Sequence, residues 1–394
     1  MRFHDGSLRI TGTDGADTVV IVDDGKGGIT VTFDNTAQSG GNGHGSNGSG
    51  GHSDRRHGGG DNNDNSQGNN NSQGNSSNSS NSSNGGGGTG GGGGGSGPTT
   101  QAFTGVDDIN FRGLGGDDNV TYKLSGELTT DRIVRLDLGD GNDTATIDLG
   151  PGVNGAQLRL LVNGGRGDDT VTTALGPVTD GEVLIFTGLG SGNDTSKVTG
   201  TGDLTGASSA LLVTLGGGGN DTVSSNLSGK IDTSADLSVF TDGGSGTDNI
   251  TATLTGAVNG EASVRASGGS GDDTVAVSST GDVGADGLLS VRASGGSGTD
   301  QITTDITGVI SGDVRLTVDG GSDNDVVTAK VTPAAGSDGT IRARVLGGLG
   351  DDNLTLLIDP ALAAAMQVTA LLDGGDGTDT CVASSNVTVV NCEM

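Results

Sequence analysis

The sequence predicts an all-β fold, a parallel β-solenoid (β-roll/β-helix) of eleven to twelve stacked coils with a low-complexity insert. Three observations lead there: a composition hostile to helices, a glycine-rich block repeated at fixed spacing, and period-two alternation on both sides of it. Glycine supplies 81 of 394 residues, aromatics only 2%, and 45 of the 49 acidic residues are Asp. Glycine and Asp are poor inside helices and favour turns, which excludes a helical bundle.

The block appears twelve times, as in GTDGADTV at Gly12, GGRGDDTV at Gly164, GGSGDDTV at Gly268 and GGDGTDTC at Gly374. Its sixth position is always Asp. Its fourth is Gly except at Asp323. Positions 8, 10 and 12 then alternate with polar residues, as in Ile302/Thr304/Ile306, which marks a strand with one buried face. Position 14 is Gly or Pro in every complete repeat after the insert, a strand-breaking corner. Position 16 is usually aliphatic, as at Leu128, Val153 and Ile231, plugging the core there. A second alternating strand, such as Val314/Leu316/Val318, leads into the next block. One repeat is therefore turn, strand, corner and strand. It cannot bury its aliphatic face alone, whereas stacked coils share a continuous core.

Residues 39–97 contain no hydrophobic residue, so nothing there offsets chain entropy by burial. The expected organisation is residues 1–38 as the first coil or coils, 39–98 as a disordered Gly/Ser/Asn-rich insert, and 99–394 as the solenoid body with a C-terminal cap. Val19 and Ile21 are expected to form the first strand, with Gly25 as its corner. The insert then leaves the rod before Ile109 and Phe111 complete that coil.

The net charge is −30. That argues against nucleic-acid binding, which draws its affinity from Lys and Arg on phosphate. No apolar run approaches the roughly 18 residues of a membrane-spanning helix. MRFHDGSLRI lacks the apolar core of a signal peptide, so an exported chain would need its signal removed, carried on a larger parent, or of another kind. Stacking sets each sixth-position Asp about 5 Å from the next, where bare carboxylates repel. All-oxygen sites of carboxylates and carbonyls suit Ca²⁺, and glycines at positions 1, 2 and 4 are expected to turn carbonyls towards it. About ten ions in one row would bring the missing positive charge.

The blocks resemble the RTX, or hemolysin-type, calcium-binding repeat, here as a variant with coils of about 26 residues. The resemblance implies a bacterial, secreted, extracellular or cell-surface protein in which Ca²⁺ bridges successive turns of a parallel β-roll. It implicates Asp17, Asp118, Asp143, Asp169, Asp194, Asp221, Asp248, Asp273, Asp300, Asp325, Asp352 and Asp379 as metal ligands. The family's nine-residue unit puts a calcium turn at both edges of an 18-residue coil. Here the block comes once per coil, so a single ladder of ions is expected. Leu138, Leu189 and Asp323 replace motif glycines and put occupancy of those sites in question.

No histidine lies between residue 98 and the end, which excludes a Ser-His-Asp or Cys-His site there. Tyr122, the single tyrosine, reads as core packing. A non-enzymatic structural or adhesive protein is expected. Alternatives are an ice- or glycan-binding adhesin module, on the outward threonines of position 9 (Thr121, Thr146, Thr172), or, more remotely, a polysaccharide-active β-helix enzyme using carboxylate pairs such as Asp168/Asp169. Cys381 falls at an inward position and Cys392 in the closing segment. Either a disulfide staples the open end of the core or both thiols are reduced. Alternation also turns Leu161, Phe186, Val213 and Phe240 outward in successive coils, a patch expected to serve self-association or docking of another domain.

Overall fold

A computed structural model describes residues 1–34 and 97–393, which form one unit. The called insert, 39–98, lies outside the described residues except for its last two positions, as do the histidines within it. The chain is a parallel β-solenoid of about ten turns, repeating every 25 to 27 residues. This is slightly fewer than the eleven to twelve coils expected, because the first and last are completed by cap segments.

Two 14-stranded sheets form the long faces of the coil. The leading sheet carries the strand that runs into each glycine block, such as Glu261–Ser270, and the trailing sheet the strand that leaves it, such as Thr274–Ser279. Both pair in register with the equivalent strands one coil away, Val264 with Val291 and Val275 with Ile302. A third, narrow face forms at the corner. Val153–Asn154, Val178–Thr179 and Leu204–Thr205 pair as short strands there, and single bridges continue the row through Ile231, Val258, Val283 and Ile310. Of the sixteenth-position aliphatics expected as corner plugs, Leu128, Val153, Leu204, Ile231, Val258, Val283 and Ile310 lie in this row and are buried. Val178 fills it one position early, and Leu362 lies in a short 3-10 helix instead.

The interior is one continuous cluster along the coils, as the alternation requires. It is not wholly apolar. Thr173, Ser196, Ser225, Ser279 and Thr304 occupy inward positions of the trailing strands, and Thr187, Thr214 and Thr241 those of the leading strands.

The ends are closed by different devices. At the N-terminus, Thr18–Asp23 is the first trailing strand, as expected. After Gly25 the chain reverses into Ile29–Asp34, antiparallel to it, and Thr99–Phe103 adds a further antiparallel strand. Arg2–His4 folds back on Ser7–Thr11 in the same way at the edge of the leading sheet. Arg132, fully buried, ties this cap to the coils: its Nε donates to Asp23 Oδ2 at 2.7 Å and its Nη1 to the Val106 carbonyl. Tyr122 donates its hydroxyl to the same Asp23 oxygen at 2.8 Å, so this core residue also has a polar duty. At the C-terminus Cys381 and Cys392 form a disulfide, with Cα atoms 5.9 Å apart, fastening the closing segment to the last coil.

Candidate functional site: the aspartate ladder

The turns stack because their backbone N–H groups find acceptors one coil away. Buried turn amides without partners would be costly, so each must be accounted for. The fourth-position N–H donates to the third-position carbonyl of the following coil, as Gly141 to Arg166 at 2.8 Å. The seventh-position N–H donates backwards to the sixth-position carbonyl, as Thr144 to Asp118 at 2.8 Å. That leaves the fifth and sixth N–H groups, which side chains satisfy.

The sixth-position Asp supplies one acceptor. The Asp17 N–H donates to Asp118 Oδ1, the Asp118 N–H to Asp143 Oδ1, and so on to Asp379, in an unbroken chain of 2.7–2.9 Å bonds. All twelve aspartates expected as a row are therefore brought into one row, each 1–2% exposed. The Asp379 N–H donates to Glu393 Oε2 at 2.6 Å, so Glu393 takes the place that the next aspartate holds elsewhere in the row. The Cys381–Cys392 disulfide holds it in place.

The fifth position, which varies in sequence, forms a second ladder of opposite direction. The Asn142 N–H donates to Asp117 Oδ1, Asp168 to Asn142 and Asn193 to Asp168, at 2.7–2.8 Å. The acceptors are Asp and Asn, a signal legible in the sequence, whereas Thr247, Thr299 and Thr378 only donate their N–H to the ladder.

Each carboxylate uses only one oxygen in its ladder. Oδ2 of Asp118, Asp143, Asp169, Asp194, Asp221, Asp248, Asp273, Asp300, Asp325, Asp352 and Asp379 is buried with no hydrogen-bond partner. From Asp118 to Asp352, burial, opposed by the backbone hydrogen bond and reinforced by neighbouring carboxylates, drives these groups up. Asp118, Asp169, Asp273 and Asp325 rise to about 7, and Asp221 and Asp300 to about 6. Asp143, Asp194, Asp248 and Asp352 are also raised by burial.

The glycines divide the labour differently from the sequence expectation that positions 1, 2 and 4 all aim carbonyls at an ion. Positions 2 and 4 serve the stacking. Gly165 and Gly167 have φ of 116° and 112°, and a Cβ at either would overlap the equivalent carbonyl of the preceding coil. Position 1 serves the carboxylate. A Cβ at Gly216 would overlap both Asp221 Oδ2 and the Gly243 carbonyl oxygen of the next coil, and Gly164 and Gly347 show the same arrangement. Whereas the atoms nearest Gly268 and Gly295 are those of the Asp side chain, a carboxylate oxygen and a carbonyl oxygen from successive coils converge beside Gly113, Gly164, Gly216, Gly243, Gly320 and Gly347. Those are the hard, neutral-plus-anionic donors that Ca²⁺ accepts, so the residues fit the ion. No three acidic, His or Cys side chains gather as a metal cluster among the described residues, so a cation would depend on backbone carbonyls for much of its shell. At Leu138 and Leu189 a real, fully buried side chain takes the place of the glycine, and the fit fails beside Asp143 and Asp194.

Two substitutions strain the turn instead. Asp323 at position 4 has φ 79°, and Leu114 at position 2, whose departure from glycine the sequence reading passed over, has φ 88°.

No protein-family model, curated protein or solved structure matches the chain.

Proposed function

We propose that the chain is a non-enzymatic, extracellular calcium-binding solenoid of RTX type, serving as a structural or adhesive segment of a secreted bacterial surface protein. The observation that carries this reading is the row of buried, unpartnered Oδ2 atoms, one in every coil from Asp118 onwards. Ionised and uncompensated, such a row opposes stacking, because like charges in a low-dielectric interior repel strongly. Bound Ca²⁺ would supply the compensating positive charge. The chain's own part is to hold Oδ1 in the ladder, leave Oδ2 free, and keep the first position clear with glycine.

Ions that bind only the folded state stabilise it. Extracellular calcium modules bind with dissociation constants of about 0.1–1 mM, so the chain would stay unfolded at low cytoplasmic calcium and fold outside the cell. Of the eleven carboxylates with an unpartnered oxygen, two adjoin leucine, so nine calcium ions are expected. Native mass spectrometry counts them. Chelation with EDTA is expected to convert the far-ultraviolet circular dichroism from strand to coil; an unaltered spectrum would remove calcium from the fold.

A further inference from the structure

On this acid-rich chain one surface is free of acid. The outward residues of the leading sheet form four columns running from coil to coil. The two central columns, from Ile133 and Arg135 to Thr369 and Leu371, contain neither Asp nor Glu. After Arg135 and Arg159 the first half of this lane is mostly apolar: Leu161, Phe186, Val213 and Phe240 lie in one column, Leu184 and Leu211 beside them. A shallow groove of about 180 Å³ opens between Arg135, Leu161, Asn163 and Phe186. The second half is basic: Arg265, Arg292, Arg315, Arg342 and Arg344 project from four successive coils. At the coil spacing these guanidinium groups span about 15 Å.

Their charge is little used within the chain. Arg315 and Arg342 share Asp313 at 4.0 and 3.5 Å with about half of each side chain exposed. Arg265 lies over the Phe240 ring, 5.4 Å from its centroid, joining the two halves. Arg292 and Arg344 form no ion pair among the described residues.

The columns on either side carry the acid of this face, four residues each, among neutral ones such as Leu288, Thr340, Ser267 and Ser294. Glu182, Asp236, Glu261 and Asp313 edge the lane towards the corner, and Asp137, Asp242, Asp319 and Asp373 towards the turn. These edges decide the shape of the partner. An anionic membrane lying over the whole face would press against both acidic columns. A lane two residues wide, about 7 Å between neighbouring Cα positions in a strand, admits one thread.

The apolar half, four coils by two residue columns or roughly 20 by 14 Å, covers about 300 Å², short of the roughly 800 Å² that each partner of a stable dimer buries. A sheet face offers no free backbone groups, so an acidic peptide would gain none of the main-chain hydrogen bonds that give strand addition its affinity. Nucleic acid would lay a continuous row of phosphates on a first half whose two central columns hold only Arg135 and Arg159 as cations, on a chain of net charge −30.

We propose that this lane binds a linear acidic polysaccharide, with sugar-ring faces on Phe186, Phe240 and the leucines and carboxylate or sulfate groups on the arginines. Guanidinium pairs such anions bidentately, and aromatic and aliphatic side chains cover the apolar face of a sugar ring. The lane exists on the folded solenoid whatever fills the turns, so it stands apart from the calcium reading.

The test is calorimetry on the full chain in calcium, its fold verified by circular dichroism, with dextran sulfate and oligogalacturonate as probes and uncharged dextran as control. Both acidic polymers are expected to bind, more weakly as salt rises. The Arg292→Glu/Arg344→Glu variant should lose at least tenfold in affinity, while Lys330→Glu, on the exposed face of the other sheet, should not. Absence of binding, or equal binding by the lane variant, overturns the proposal. So does a preference for phosphatidylserine vesicles or oligodeoxythymidylate over both polysaccharides. Concentration-dependent dimerisation abolished by Phe186→Asp, without polymer binding, would assign the face to self-association instead.

Discussion

At the scale of single residues, the turn geometry sorts which positions tolerate a side chain. Asp323 occupies a fourth position with φ 79°, where a left-handed backbone costs a non-glycine residue about 1 kcal/mol or more. Its carboxylate also lies near enough to raise Asp300 and Asp325. Its Oδ2 accepts from the Gly298 N–H at 3.2 Å, a long bond of modest worth. Asp323→Gly is therefore expected to raise thermal stability by up to about 1 kcal/mol, measured by reversible melting. Thr304 gives a second case. It is fully buried and its hydroxyl has no partner. Thr304→Val keeps the shape and removes the orphan, so a gain of about 1–2 kcal/mol is expected from denaturant titration. A loss would mean that the hydroxyl has a partner in solution.

At the scale of the element, the turn does two jobs through one side chain. Oδ1 closes the hydrogen-bond ladder, and Oδ2 is left for a cation. Asp273→Asn separates them, because the amide oxygen can still accept from the Asp248 N–H while the charge is lost. In saturating calcium this variant is expected to bind one ion fewer and to melt lower. In chelator it should retain at least as much strand as the parent by circular dichroism, having lost a buried charge. Equal destabilisation in both conditions would leave Asp273 with the ladder alone. Asp was legible at position 6 from its recurrence, but its hydrogen-bonding duty was not. The partner lies 25 or 27 residues away, and only the register of stacking brings it within 3 Å. The stand-in Glu393 was invisible for the same reason, being neither Asp nor in a block.

At the scale of the whole molecule, the carboxylate row predicts an inverted response to pH. Asp118, Asp169, Asp273 and Asp325 rise to about 7 in the fold, from a usual carboxylate value near 4, because burial disfavours the charged form. Between those limits the folded chain holds more protons than the unfolded one, so stability falls as pH rises. The calcium-free chain is expected to be most stable near pH 4 and to weaken progressively towards the coil expected of it in chelator at about pH 7. Calcium should cancel the slope at neutral pH by binding the ionised form. Melting curves at stepped pH, with and without chelator, check both signs. Ordinary acid denaturation of the calcium-free chain would mean that the row is not desolvated. The acid-free lane belongs to this scale too, since its columns are assembled from strands about 26 residues apart.

Sequence alone determined the coil. Period-two alternation, glycine at the turns and Gly or Pro at the corners leave few ways to bury the aliphatic positions other than parallel stacking, and the repeat length places every sixth-position Asp in one row. Only the tertiary structure decided what that row does with its two oxygens, which glycines serve stacking and which serve the carboxylate, how the two ends are closed, and that arginines from distant repeats share one lane. These depend on contacts between coils, set by the register and spacing of the stack. A one-dimensional pattern records which residues recur, but not which atoms meet.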